Sequence, residues 1–294
     1  MRKINEFALN ALNNGDFLAA QENFYRNIKL NPCHETYNNL GFYLISEGLI
    51  CKNGRYRSAF KLGEKYILKA AELKDSATNI SARVTINNYK VYGCSPKEKN
   101  QLYTDSYALL SKALNLDYSY ITHYNYLYFK SLLYPEDRGI LTEIRKLIKN
   151  YVTENSILLY FGFLRKYKLK DEGLDCIRNH ACCIDEAVKL IFYTAIGLYE
   201  SGYKLCEKVY NGFVVNKELA TAILECCIKT NHLDDKKRYI QNIIRNKELD
   251  KSFVDKILYS EQAREQIILK APSYAAYEIP CCYFGCKQHS VRWM

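Results

Sequence analysis

The residues best suited to chemistry gather near the C-terminal end. Cys281, Cys282, Cys286 and His289 lie close together there, with Trp293 following them. Three thiolates and an imidazole are the donors of a tetrahedral Zn²⁺ site. Cys281 and Cys282 are adjacent, whereas zinc knuckles draw on CxxC pairs, so zinc at the tail is one expectation beside an exposed tail of free thiols. His180, Cys182 and Cys183 form a second cluster. A thiolate becomes a nucleophile when a base stands next to it in space, which adjacency along a chain does not supply. The plainer expectation is a loop histidine beside two core cysteines. The sequence has no GxxxxGK[ST] loop, no GxSxG elbow and no HExxH pair. No catalytic residue is expected, nor any cofactor beyond zinc at the tail, and the chain reads as a non-enzyme.

The elements that must position these residues are helices. The 294 residues include only 5 prolines and 13 glycines, few for a chain of tight hairpins, and the apolar fraction of 48% is ample for a core. The net charge of +10 is spread among Glu and Asp rather than gathered in runs, so it predicts a solvated helical surface. Met1-Arg2-Lys3 leads into Ile4-Asn5-Glu6-Phe7 without an apolar signal core, and no stretch reaches the ~18 apolar residues of a membrane span. A cytoplasmic protein with free thiols is expected, with no membrane partner.

Apolar residues recur at helical spacing in paired segments. Ile4, Phe7, Ala8, Ala11 and Leu12 form one stripe, and Phe17, Ala20, Phe24, Ile28 and Leu30 form a second. Asn14-Gly15-Asp16 supplies the turn between them, and Pro32 ends the pair. A second pair starts at Tyr37, Leu40, Gly41 and Leu44 and continues after an insertion through Ala59, Tyr66, Ala70 and Leu73. A third spans Ile80 to Leu116 around Gly93-Cys94-Ser95-Pro96. Further pairs follow at Ile121–Leu133 with Ile140–Val152, at Leu158, Phe161 and Gly162 with Leu174 and Ile177, at Ile191 to Tyr203, and at Leu219 to Ile243. Phe253–Leu258 and Gln262–Lys270 form a terminal cap.

Gly15, Phe17, Ala20, Phe24 and Pro32 fall in register with the tetratricopeptide pattern, which the first repeat resembles closely; Asn27 stands where that family prefers Ala. The resemblance is specific over the first 115 residues or so and looser afterwards. It implies an all-α fold, an α–α superhelix of about seven helix pairs over residues 1–272, followed by a Cys-rich C-terminal tail at 273–294. It also implies a non-catalytic scaffold or adaptor that binds a protein or peptide on a concave face lined by first helices. Mapped here, that groove takes Asn5, Leu9 and Leu12 from the first repeat and Asn38, Phe42 and Ile45 from the second. An asparagine amide can pair with both the N–H and the C=O of a peptide main chain. Of the carboxylate clamp known in chaperone-binding members, only Asn39 matches. Tyr118, Tyr120, Tyr124, Tyr126 and Tyr128 cluster on the fourth pair, as core or as binding surface.

Two alternatives accompany this reading. Glu35-Thr36-Tyr37-Asn38-Asn39-Leu40 resembles the start of a pentatricopeptide repeat, but it does not recur, so nucleic acid is not the expected partner. The second alternative is a carrier. The tail is Cys-rich, aromatic and terminal after Pro272, a layout that resembles a core peptide presented to a peptide-modifying enzyme.

Overall fold

A computed structural model describes the backbone of residues 2–50, 56–245 and 249–280. Cys51 and the tail candidates Cys281, Cys282, Cys286 and His289 fall outside the described residues, as does the side chain of Asn5.

Among the described residues the chain is all-α. Helices α1 (Arg2–Asn13) and α2 (Phe17–Leu30) flank the Gly15 turn, followed by α3 (His34–Ile50) with α4 (Tyr56–Leu73), and α5 (Ala77–Lys90) with α6 (Pro96–Leu116). Then come α7 (Tyr120–Leu133), α8 (Gly139–Ile148), α9 (Glu154–Lys166) and α10 (Lys170–Asn179). A 3-10 turn at Ala181–Cys183 leads into α11 (Glu186–Ala195), α12 (Tyr199–Gly212), α13 (Lys217–Lys229), α14 (Leu233–Arg245), α15 (Lys251–Tyr259) and α16 (Glu261–Lys270). The boundaries follow local chemistry. Gly15 takes φ +81° and Asp16 then caps α2 by accepting the Ala19 N–H at 3.0 Å. Gly93 takes φ +93°, and Ser95 with Glu98 closes a reciprocal capping box on α6.

The chain divides into two compact units. The first holds residues 1–140 and the stretch beginning at Tyr277; the second holds residues 141–276. In the first, Leu40, Phe42, Ile45 and Ile67 are fully buried, and α3 lies so close to α4 that neither Gly41 nor Gly63 has room for a side chain. A Cβ on Gly41 would lie 2.9 Å from the Gly63 carbonyl oxygen, and one on Gly63 would lie 2.8 Å from the Gly41 oxygen. In the second unit, α13 is buried at every residue from Leu219 to Cys227, which is the pattern of a helix enclosed on all sides. Helix α16 is one of its covers and also packs on α9 and α11. The covering helix carries Arg264, whose guanidinium pairs with buried Glu225 on α13 and donates to the Ile257 carbonyl at 2.8 Å at the end of α15. Even-numbered helices instead bury single stripes. Ala20/Phe24/Asn27, Gly63/Ile67/Ala70, Ser106/Leu110/Ala113 and Gly202/Cys206/Val209 share one spacing of four residues and then three.

Two stability predictions follow from these contacts. Gly→Ala within a helix normally gains about 1 kcal/mol. At Gly41 or Gly63 the backbone contact reverses the sign, and each substitution should lower the unfolding free energy by about 1–3 kcal/mol. Urea titration reads this, and the double variant should lose less than the sum, because the first substitution already separates the helices. Arg264→Met strands the Glu225 carboxylate in the core and should cost about 3–5 kcal/mol, most of which Glu225→Leu in the same chain should restore.

Candidate functional site

The region past α16 is not helical. Ala271–Pro280 is a non-helical strap laid on helices, held by side-chain hydrogen bonds from them. Helices consume their own backbone hydrogen bonds, so an extended segment against them must be satisfied by side chains.

Helix α7 positions the principal contact in the first unit. Ser119 starts the helix by accepting the Thr122 N–H, and one turn later Asn125 is completely buried. Its carboxamide is bidentate on the main chain of Glu278. Nδ2–H donates to the Glu278 carbonyl at 2.6 Å, and Oδ1 accepts the Glu278 N–H at 2.9 Å. Four residues on, and so on the same helix face, Phe129 packs its ring 5.7 Å from that of Tyr277. Tyr277 lies in a slot with Val84, Leu110 and Phe129. At its end the phenol meets the Thr85 hydroxyl at 2.9 Å and donates to the Ser81 carbonyl at 3.4 Å, both on α5. Burial pushes the Tyr277 phenol well above its ordinary range, and the Thr85 hydrogen bond opposes this only in part. Ile279 packs against the same cluster and against the neighbouring one that contains Leu9, Leu12, Phe42 and Ile45.

In the second unit, α9 holds the strap's first half. Arg165 is buried, and its guanidinium donates to the carbonyls of Ala271 and Pro272, where α16 ends. A cation there complements the helix's negative end and satisfies carbonyls that have no partner within the helix. Burial lowers the Arg165 pKa to about 10, so the charge persists at neutral pH. Gly162 lets the chain approach, since a Cβ on it would sit 2.5 Å from the Ser273 Cβ. Asn155 Oδ1 accepts the Ala276 N–H at 3.0 Å. Tyr274 takes φ +63°, a conformation that side-chain-bearing residues seldom adopt, and its ring lines a cavity of about 390 Å³ with Leu158, Val188, Phe213 and Leu219.

In comparison with known proteins, the chain matches no family model and no curated protein.

Of the residues assigned to a groove from the sequence, those whose side chains are described are buried. Leu9, Leu12, Phe42 and Ile45 are packed in the first unit's core. Asn38 is fully buried and donates to Asn79 Oδ1 at 3.1 Å, while Asn79 in turn donates to the carbonyls of Ala70, in the last turn of α4, and of Lys74, just past its end. Asn39 is buried too. A period of three and four identifies the covered face of a helix, and these positions satisfy it as core. Asn125, Thr85, Asn155 and Arg165 were not singled out. The signal for Asn125 was a lone amide inside the aromatic run Tyr124-Asn125-Tyr126, at a position where the stripe calls for an apolar residue. The tyrosine cluster divides: Tyr124 is buried, and Tyr118 and Tyr120 are exposed. Cys182 and Cys183 are not core residues as expected, because their 3-10 turn places Cys182 in solvent and Cys183 at the cavity wall, sulfurs 3.7 Å apart. Burial, and then the neighbouring thiol, push the Cys183 thiol up, away from nucleophilic character at neutral pH.

Chymotrypsin cleavage after Tyr277, read by intact mass, tests the strap contacts. Asn125→Ala removes two bonds to Glu278 and Gly162→Leu displaces Ser273; each should speed cleavage at least about fivefold, because cleavage of an opened segment tracks its opening equilibrium. Alkaline pH tests the slot. The neutral phenol is favoured in the folded state, so its contribution is complete below about pH 10 and is lost as pH rises toward the elevated value. Between pH 9 and 11 the wild type should lose more stability to urea than Tyr277→Phe.

Proposed function

We propose that this protein is a non-catalytic scaffold whose helices bind extended polypeptide, in the manner of a tetratricopeptide-like superhelix. The observation that carries the reading is the bidentate Asn125 contact on the Glu278 main chain. It grips backbone rather than side chain, so it suits any extended segment that presents an N–H and a C=O from one residue. The Arg165 contact on two carbonyls and the Asn155 contact on one N–H support the same reading in the second unit. The four-then-three stripes of the even helices support a stacked helix-pair architecture, since small residues at fixed spacing let successive helices pack closely. Within this proposal the protein is cytoplasmic and acts on a protein or peptide partner without a cofactor; no helix among the described residues is long and apolar enough to cross a membrane.

A second reading has its own support. The strap fixes the chain immediately before Cys281, as a carrier would if it held a Cys-rich tail toward a modifying enzyme or a zinc ion.

Peptide display on the full-length protein tests the first reading. Selection of random 12-mers should enrich sequences whose binding falls about tenfold or more in Asn125→Ala, the loss expected when two buried hydrogen bonds disappear. Enriched peptides indifferent to Asn125, Asn155 and Arg165 would overturn it. Intact-mass measurement of the protein from its native host tests the second: a modified tail requires a covalent shift confined to it, and a zinc ion requires a shift seen under native conditions and removed by a chelator.

A further inference from the structure

Cys182 and Cys183 carry a chemistry that the peptide-binding reading does not use. Neighbouring side chains point to opposite faces in extended chain and about 120° apart in a 3-10 turn. Here the two sulfurs nevertheless lie 3.7 Å apart. Both flanks of the turn are anchored. The Cys183 N–H donates to the His180 carbonyl at 3.0 Å, Ile184 is buried, and Asp185 caps α11 by accepting the Val188 N–H at 2.9 Å. Cys182 is exposed, so a molecule in solution reaches the pair. The spacing suits a bridging atom. A soft centre bonded to both sulfurs at about 2.3 Å holds them about 3.3–3.8 Å apart, whereas a disulfide needs about 2.05 Å. A disulfide is disfavoured further because adjacent Cα atoms, about 3.8 Å apart, are closer than its geometry prefers.

We propose that Cys182 and Cys183 form a dithiol site for a neutral trivalent organoarsenical, R–As(OH)₂, whose carbon substituent R lies in the adjoining cavity. The proposal is independent of the scaffold reading. In the reaction two As–S bonds form and two As–O bonds break. Each thiol proton leaves with a hydroxide as water, and no electrons are transferred. Three observations select this ligand. The arsenic brings its own third bond, to carbon, and among the described residues no group of three His, Cys, Asp or Glu side chains is placed to hold a metal ion. The cavity of about 390 Å³ that Cys183 lines continues over Leu158, Val188, Phe213 and Leu219, an apolar bed for R. Glu154 and Asp185 at the same wall repel an oxyanion but not a neutral ligand. Burial keeps the Cys183 thiol protonated at neutral pH. That handicaps a cation that binds only thiolate and does not hinder a condensation that releases water.

The test uses the full chain carrying Cys281→Ser/Cys282→Ser/Cys286→Ser and kept reduced by a phosphine, so that the tail thiols do not compete. One equivalent of phenylarsine oxide, which hydrates to the dihydroxyarsine, should give one adduct by intact mass, located in the tryptic peptide of residues 179–189. Cys182→Ser and Cys183→Ser should each weaken binding about a hundredfold or more, because either change turns two-point attachment into one. A synthetic peptide of residues 179–189, Asn-His-Ala-Cys-Cys-Ile-Asp-Glu-Ala-Val-Lys, has the same thiols without the anchored turn or the cavity. The protein should bind phenylarsine oxide at least about tenfold more tightly than this peptide, and the advantage should shrink for the methyl analogue, which buries less apolar surface. Equal affinity of protein and peptide would overturn the site, as would an adduct located at another cysteine. Zn²⁺ added alone should not be retained at these thiols; Zn²⁺ held at one equivalent and lost in Cys182→Ser would overturn the ligand class. Should the serine variants misfold, the comparison of protein with peptide decides alone.

Discussion

Every peptide group removed from water needs a hydrogen-bond partner, and a helix has none to give except at its ends. This constraint shapes the strap. A sheet could take it in by extending a ladder, but here the partners have to be side chains placed one at a time. Asn125 supplies both a donor and an acceptor from a single carboxamide, Asn155 supplies an acceptor, and Arg165 supplies donors to successive carbonyls. Asn125 and Arg165 are buried polar groups, costly without the strap and satisfied with it. The hold on the strap and the vulnerability of the core to losing it thus share one origin.

Helix α16 is held by the same principle. Its own Arg264 reaches the end of α15 and the Glu225 carboxylate, and the carbonyls of Ala271 and Pro272 just past its end receive Arg165. Two buried guanidiniums thus each meet a helix C-terminus, where the macrodipole adds to their hydrogen bonds. The arrangement fixes the direction in which the chain leaves α16 and so delivers Ser273 to Gly162, whose missing side chain makes the contact possible.

Much of the fold was legible. Apolar spacing of three and four marked the helices, and Gly15, Gly93, Ser95 and Pro96 marked turns that the structure places where expected. These signals are local, and local chemistry decides where a helix starts and stops. The site was less legible for the opposite reason. Asn38 and Asn125 are the same residue type on helices of similar pattern. The first is paired with another core amide and the second with a segment about 150 residues away in sequence. The aromatic neighbours of Asn125 mark it as unusual but do not name its partner, because the partner's arrival depends on the route of the chain after Pro272. Cys182 and Cys183 misled in the same way: their apolar character suggested core, and the short turn that carries them ends before the next helix can cover it.

The clamp on Glu278 also sets a frame. In extended chain, side chains alternate, so Tyr277 and Ile279 point one way while Glu278 points the other. Sliding the strap by a single position would send a carboxylate into the aromatic slot and turn both apolar groups outward, burying a charge among Val84, Leu110 and Phe129. The strap is therefore phased as well as attached. The strap fits in one alignment, with the main chain of Glu278 as its fixed point.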